Sequence, residues 1–76
     1  MDALQALRVR YPAVLRVHSE VDRLPARGAA GEAFEASLDI LLPQRQLILN
    51  RQGPDAEAAL RRAVEAAAAA LARLAP

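Results

Sequence analysis

The sequence contains no cysteine, no lysine and no tryptophan, and only one histidine, one tyrosine and one phenylalanine. Without cysteine there is no disulfide framework, no thiol chemistry and no Cys-based zinc site. A single histidine cannot build a His-rich metal site. No apolar run approaches the ~20 residues that a bilayer-spanning helix needs. An excess of either charge is lacking as well: ten basic groups face nine acidic ones, for a net charge of +1. That balance excludes a strongly cationic nucleic-acid coat and a disordered polyanion. Met1-Asp2-Ala3 lacks the basic-then-apolar build of a signal peptide, so a cytoplasmic location is expected.

What is present is alanine and arginine. The 76 residues include 19 alanines, and all ten basic residues are arginine. A chain of this length is expected to form a single domain, residues 1–76, with a small core. Residues 2–11 read as a short helix, with Asp2 as its cap, Leu4, Leu7 and Tyr11 at helical spacing, and Pro12 as its stop. Residues 13–22 alternate, with Leu15, Val17, Ser19 and Val21 on one face and Arg16, His18, Glu20 and Asp22 on the other. That is a half-buried strand. The small residues of Ala26–Gly31 read as a loop.

Residues 33–42 alternate more clearly, with Phe34, Ala36, Leu38, Ile40 and Leu42 on one side. Pro43-Gln44-Arg45 makes a tight connection to a third strand, Gln46–Asn50, which Gln52-Gly53-Pro54 breaks. Asp55 to Leu74 is an alanine-rich helix with acidic Asp55 and Glu57 in its first turn. Leu60, Val64, Ala67, Leu71 and Leu74 form the stripe expected to face the sheet, and Phe34 is expected beneath it. The fold class is therefore α+β: two layers in the order helix-strand-strand-strand-helix, an antiparallel three-stranded sheet with both helices on one face.

Catalytic motifs are scarce. His18, Glu20 and Asp22 share a strand face, but a solvated polar face explains them. Gly28 and Gly31 precede a strand rather than a helix, so they do not make a phosphate loop. Ser19 and Ser37 sit mid-strand, where a nucleophile turn cannot form. A non-enzyme without a cofactor is expected. The alanines of 66–70 read either as a stable helix with plain surface positions or as a smooth face for a second helix.

The order of several short pieces is more informative. Tyr11-Pro12 precedes the first strand, which carries Arg16-Val17. Phe34–Pro43 reads FEASLDILLP. Leu47–Arg51 reads LILNR, and the last helix carries AALRRAVEAA with Leu71 beyond it. In that order and spacing, the stretch from Tyr11 to Leu74 resembles the ribosome hibernation-promoting factor and ribosome-associated inhibitor family, also called sigma-factor modulation proteins. The resemblance implies a hibernation-factor-like domain lacking the family's first strand. It implies a ribosome-associated RNA-binding protein that takes the small ribosomal subunit and its rRNA as partner and silences translation in the stress response. The implied RNA-binding residues are Arg8, Arg10, Arg62 and Arg73; of the positions where the family is basic along its second helix, matched by Ala66, Ala69 and Arg73, only Arg73 carries charge here. The alternative is a protein-interaction module that kept the fold without the rRNA-binding surface. A double-stranded RNA-binding domain has the same element order, but its lysine-rich helix start is acidic here, DAEAALRR.

The missing first strand would leave the strand of residues 13–22 at a sheet edge. The expected dimer edge comprises Val14, Leu15, Arg16, Val17, His18, Ser19, Glu20 and Val21. A second copy could pair with it antiparallel as a homodimer. A dyad near His18 would set Arg16 beside Glu20 of the other copy.

Overall fold

The helix that opens the fold, α1 (Ala3–Arg10), begins at a reciprocal cap. Asp2 Oδ1 accepts from the Gln5 amide at 2.8 Å, and Gln5 Oε1 accepts from the Asp2 amide at 3.2 Å. The computed structural model describes residues 2–25 and 33–74; the expected loop Ala26–Gly31 lies outside them. Three strands follow, β1 (Arg16–Arg23), β2 (Phe34–Leu42) and β3 (Arg45–Gly53), then a long helix, α2 (Ala56–Leu74). The strands form one antiparallel sheet in the order β1-β2-β3. Both helices cover one face of it, which is the α+β arrangement expected. Among the described residues no helix is long and apolar enough to cross a membrane.

The alternation in β2 sets the core. Ala36, Leu38 and Ile40 point inward and are fully buried, while Glu35, Ser37 and Asp39 point to the open face. A two-residue turn, Pro43-Gln44, returns the chain so that Leu42 pairs with Arg45. Leu47 and Leu49 of β3 pack on the same side as Leu38 and Ile40. Leu7 of α1 and Leu71 of α2 close the core from above.

Four expectations need correction. The first strand begins at Arg16, not at residue 13. Tyr11 through Val14 form a turn instead, with the Val14 amide donating to the Tyr11 carbonyl at 3.0 Å. The third strand continues past Asn50 to Gly53, because Gly53 is where helix and sheet touch. A Cβ built there would lie 2.6 Å from the Ala59 amide nitrogen, so only a residue without a side chain fits.

The stripe of α2 that meets the sheet is rotated from the expected one: Ala67 and Leu71 are buried as expected, but alanines take the places next to them. Ala59, Ala63 and Ala67, spaced four apart, are fully buried. Leu60 and Val64 flank them half-buried, and Leu74 is 42% exposed. Alanine at the seam lets the helix axis come close to the sheet. The volume between the layers is then filled by Leu38 and Ile40 from below. The alanines of 66–70 accordingly split: Ala67 is core, Ala69 is exposed, and the others are half-buried. Phe34 is half-buried at the end of the sheet, opposite Gly53, with the Arg23 guanidinium 5.7 Å from its ring centre.

Asp55 starts α2 by accepting from the Ala58 amide at 2.7 Å. Arg61 and Glu65, four residues apart, come within 3.9 Å on the helix flank.

Candidate functional site

Three chain segments converge at one end of the molecule. The last turn of α1 brings Arg8 and Arg10, placed where a helix C-terminus favours cations. Tyr11 ends that helix, its amide donating to the Leu7 carbonyl at 3.0 Å, and the Arg10 guanidinium lies 5.8 Å from the Tyr11 ring centre. The β2–β3 turn brings Pro43, Gln44 and Arg45, and the end of α2 brings Leu71 and Leu74. Between them lies an open groove of about 650 Å³. Its lining combines the apolar surfaces of Tyr11, Leu42, Leu71 and Leu74 with two arginines, Arg10 and Arg45, and among the described residues includes no acidic one. A shallower groove containing Arg8, Val9 and Val14 meets it at Pro12. Arg73, exposed, precedes Leu74 at the same end of α2.

Of the four arginines implicated by the sequence, only Arg10 lines the main groove; Arg8 lines the neighbouring one, and Arg73 lies exposed in the last turn of α2 without lining either. Arg62 does not join them. It lies eleven residues before Arg73, roughly 16 Å along the helix, and its Nη1 donates to the Gln52 carbonyl at 2.8 Å. The sequence reading missed Arg45. The signal was available, since a turn as short as Pro43-Gln44 places the next residue beside the end of β2, at the level where the chain leaves α1.

The expected dimer-edge residues divide in two. Val14 is buried at 5% exposure in the core turn before β1, and the Leu15 amide already donates to the Leu41 carbonyl at 2.8 Å. Arg16, Val17, His18, Ser19, Glu20 and Val21 lie in β1, an outer strand paired only with β2. The Leu24 amide donates to the Ala33 carbonyl at 2.8 Å. That contact continues the β1–β2 register and fixes its phase: the even-numbered residues of β1 bond to β2. Val17, Ser19, Val21 and Arg23 consequently turn their backbone N–H and C=O groups outward.

The other edge, β3, is dressed differently. Its outward carbonyls include those of Asn50 and Gln52. Arg51 Nη1 donates to the first at 2.7 Å and Arg62 Nη1 to the second at 2.8 Å.

The open sheet face carries Glu20, Asp22, Glu35 and Asp39. His18 Nε2 and Glu20 Oε1 are 3.4 Å apart with both side chains more than half exposed, at 63% and 66%. Ser37 donates to Asn50 Oδ1 at 2.6 Å, and Gln46 donates to Asp39 Oδ1 at 2.7 Å. These are cross-strand links on a wet surface. Among the described residues no three His, Asp or Glu side chains are grouped to hold a metal ion.

No protein-family model and no curated protein sequence matches this chain.

Proposed function

We propose that the protein is a non-catalytic RNA-binding protein that associates with the small ribosomal subunit and silences translation. The observation that carries this reading is the convergence of Arg10, Arg45 and Tyr11 on one open groove with no acidic side chain in its lining among the described residues. Guanidinium groups bind phosphate oxygens in pairs, and these contacts supply most sequence-independent affinity for RNA. An aromatic ring beside them gives an unstacked base a surface to lie on. The resemblance to hibernation factors supplies the target, the small-subunit rRNA, and the cytoplasmic setting in which it is met. The contact set in this reading is Arg8, Arg10, Arg45 and Arg73. Arg62 is left out because its guanidinium is engaged at the β3 edge.

A second reading, a protein-interaction module that binds a partner chain or a second copy of itself, is favoured by the outward-turned backbone of β1.

Co-sedimentation with purified small subunits over a salt series tests the first reading. Four phosphate contacts give a log–log slope of about −3, at roughly 0.7–0.9 per contact. Binding whose strength is indifferent to salt, or no binding at low salt, would overturn it.

A further inference from the structure

We infer that β1 pairs with β1 of a second copy about a dyad through Ser19, giving a closed dimer with one continuous six-stranded sheet. The inference does not depend on the RNA reading.

The phase of the β1–β2 ladder restricts the pairing. Only odd-numbered residues of β1 offer backbone groups outward, so an antiparallel partner must set odd residues opposite odd residues. That also keeps the apolar faces of both copies on the same side. Few registers remain. A dyad at Glu20 sets that carboxylate against the partner's Glu20. A dyad at His18 sets the partner's His18 against it and overlaps only five residues of the strands as observed, Arg16 through Glu20. A dyad at Ser19 overlaps Arg16 through Asp22, pairs opposite charges at one open-face position and sets an imidazole against a carboxylate at the other. Arg16 then faces the partner's Asp22, and His18 faces the partner's Glu20. On the inner face, Val17 meets the partner's Val21, a residue 37% exposed in the single chain. The strand's continuation to Arg23 is what moves the dyad one residue from the His18 position expected from the sequence.

The two edges also explain why association stops at two. The twofold contact uses β1 of both copies and leaves a β3 at each end of the sheet. There the Asn50 and Gln52 carbonyls are already taken by Arg51 and Arg62, so the ends are poor templates for further strands.

Sedimentation equilibrium at about 50 µM, on the whole chain, tests the proposal. The expected species is a dimer. Arg16→Asp and Asp22→Arg each place like charges opposite one another and should raise the dissociation constant about tenfold or more. The double variant Arg16→Asp/Asp22→Arg restores the pairing and should return to near the original value. Mixing the two single variants should yield a heterodimer in which both 16–22 pairs are again opposite in charge. Both positions are exposed, so circular dichroism should show the fold unchanged in each. Ser19→Pro removes an amide that points outward and should give a folded monomer. A monomer at all concentrations would overturn the proposal, as would a dimer indifferent to the single reversals. Failure of the double variant to recover would overturn the register.

Discussion

The two ends of the α2–sheet sandwich are built on opposite principles. At one end Gly53 and Ala59 bring backbone against backbone, so close that a single added Cβ would meet the helix amide at 2.6 Å. At the other end the side chains are large, Leu42, Leu71 and Leu74, and a groove of about 650 Å³ opens among them. The same helix thus serves as a clamp at its start and as the wall of an open site at its end. Small residues gather where the layers must touch. Where they part, Arg10, Arg45 and the Tyr11 ring line the opening. Stability and binding are therefore expected to separate along the length of α2.

The largest effect should come from filling the closed end. Ala59→Leu forces a bulky side chain into a seam with no exposed surface. Overpacking of this kind costs about 1–3 kcal/mol and sometimes more, a large share of the stability of a domain this small. Ala69→Leu, at an exposed position of the same helix, should stay within about 0.5 kcal/mol. Urea unfolding of the two variants measures the contrast. Equal midpoints would mean that the alanine seam is not the close contact described here.

A smaller effect is expected from Phe34→Ala at the same end. Full burial of the ring would make truncation cost ~3–5 kcal/mol. Half-buried over Gly53 and beside Arg23, the ring should contribute about half of that, ~2 kcal/mol. A thermal midpoint that does not move would place the ring outside the core, and complete unfolding would place it deeper than observed.

These elements differ in how openly the sequence announced them. The alternation of Phe34–Leu42 led directly to the core strand, and Asp2, Pro12 and Asp55 marked helix boundaries by well-understood chemistry. The buried face of α2 was hidden for a physical reason. Hydrophobic periodicity found Ala67 and Leu71 but gave weight to Leu60 and Val64, whereas close packing on a sheet selects the smallest side chains, and there Ala59 and Ala63 win. The extension of β3 to Gly53 was hidden likewise, since a glycine beside a proline reads as a break until the neighbouring helix is seen. Arg8, Arg10, Arg62 and Arg73 entered as candidates only through the family resemblance. Arg45 did not, because its part in the groove depends on how the Pro43-Gln44 turn stands beside α1 and α2. Nor could Arg62 be seen to serve the sheet edge, since its bond to the Gln52 carbonyl joins residues ten apart in the chain.

The open end should be nearly silent in stability and decisive in binding. Arg10 and Arg45 are exposed, so reversing their charge should shift the unfolding free energy by no more than about 0.5 kcal/mol. The most direct test is co-sedimentation of Arg10→Glu/Arg45→Glu with small ribosomal subunits at low salt, beside Arg62→Glu as a reversal of one charge elsewhere on α2. The account predicts that the groove variant stays in the supernatant while Arg62→Glu pellets with the subunits. A groove variant that pellets like the unaltered protein would contradict it.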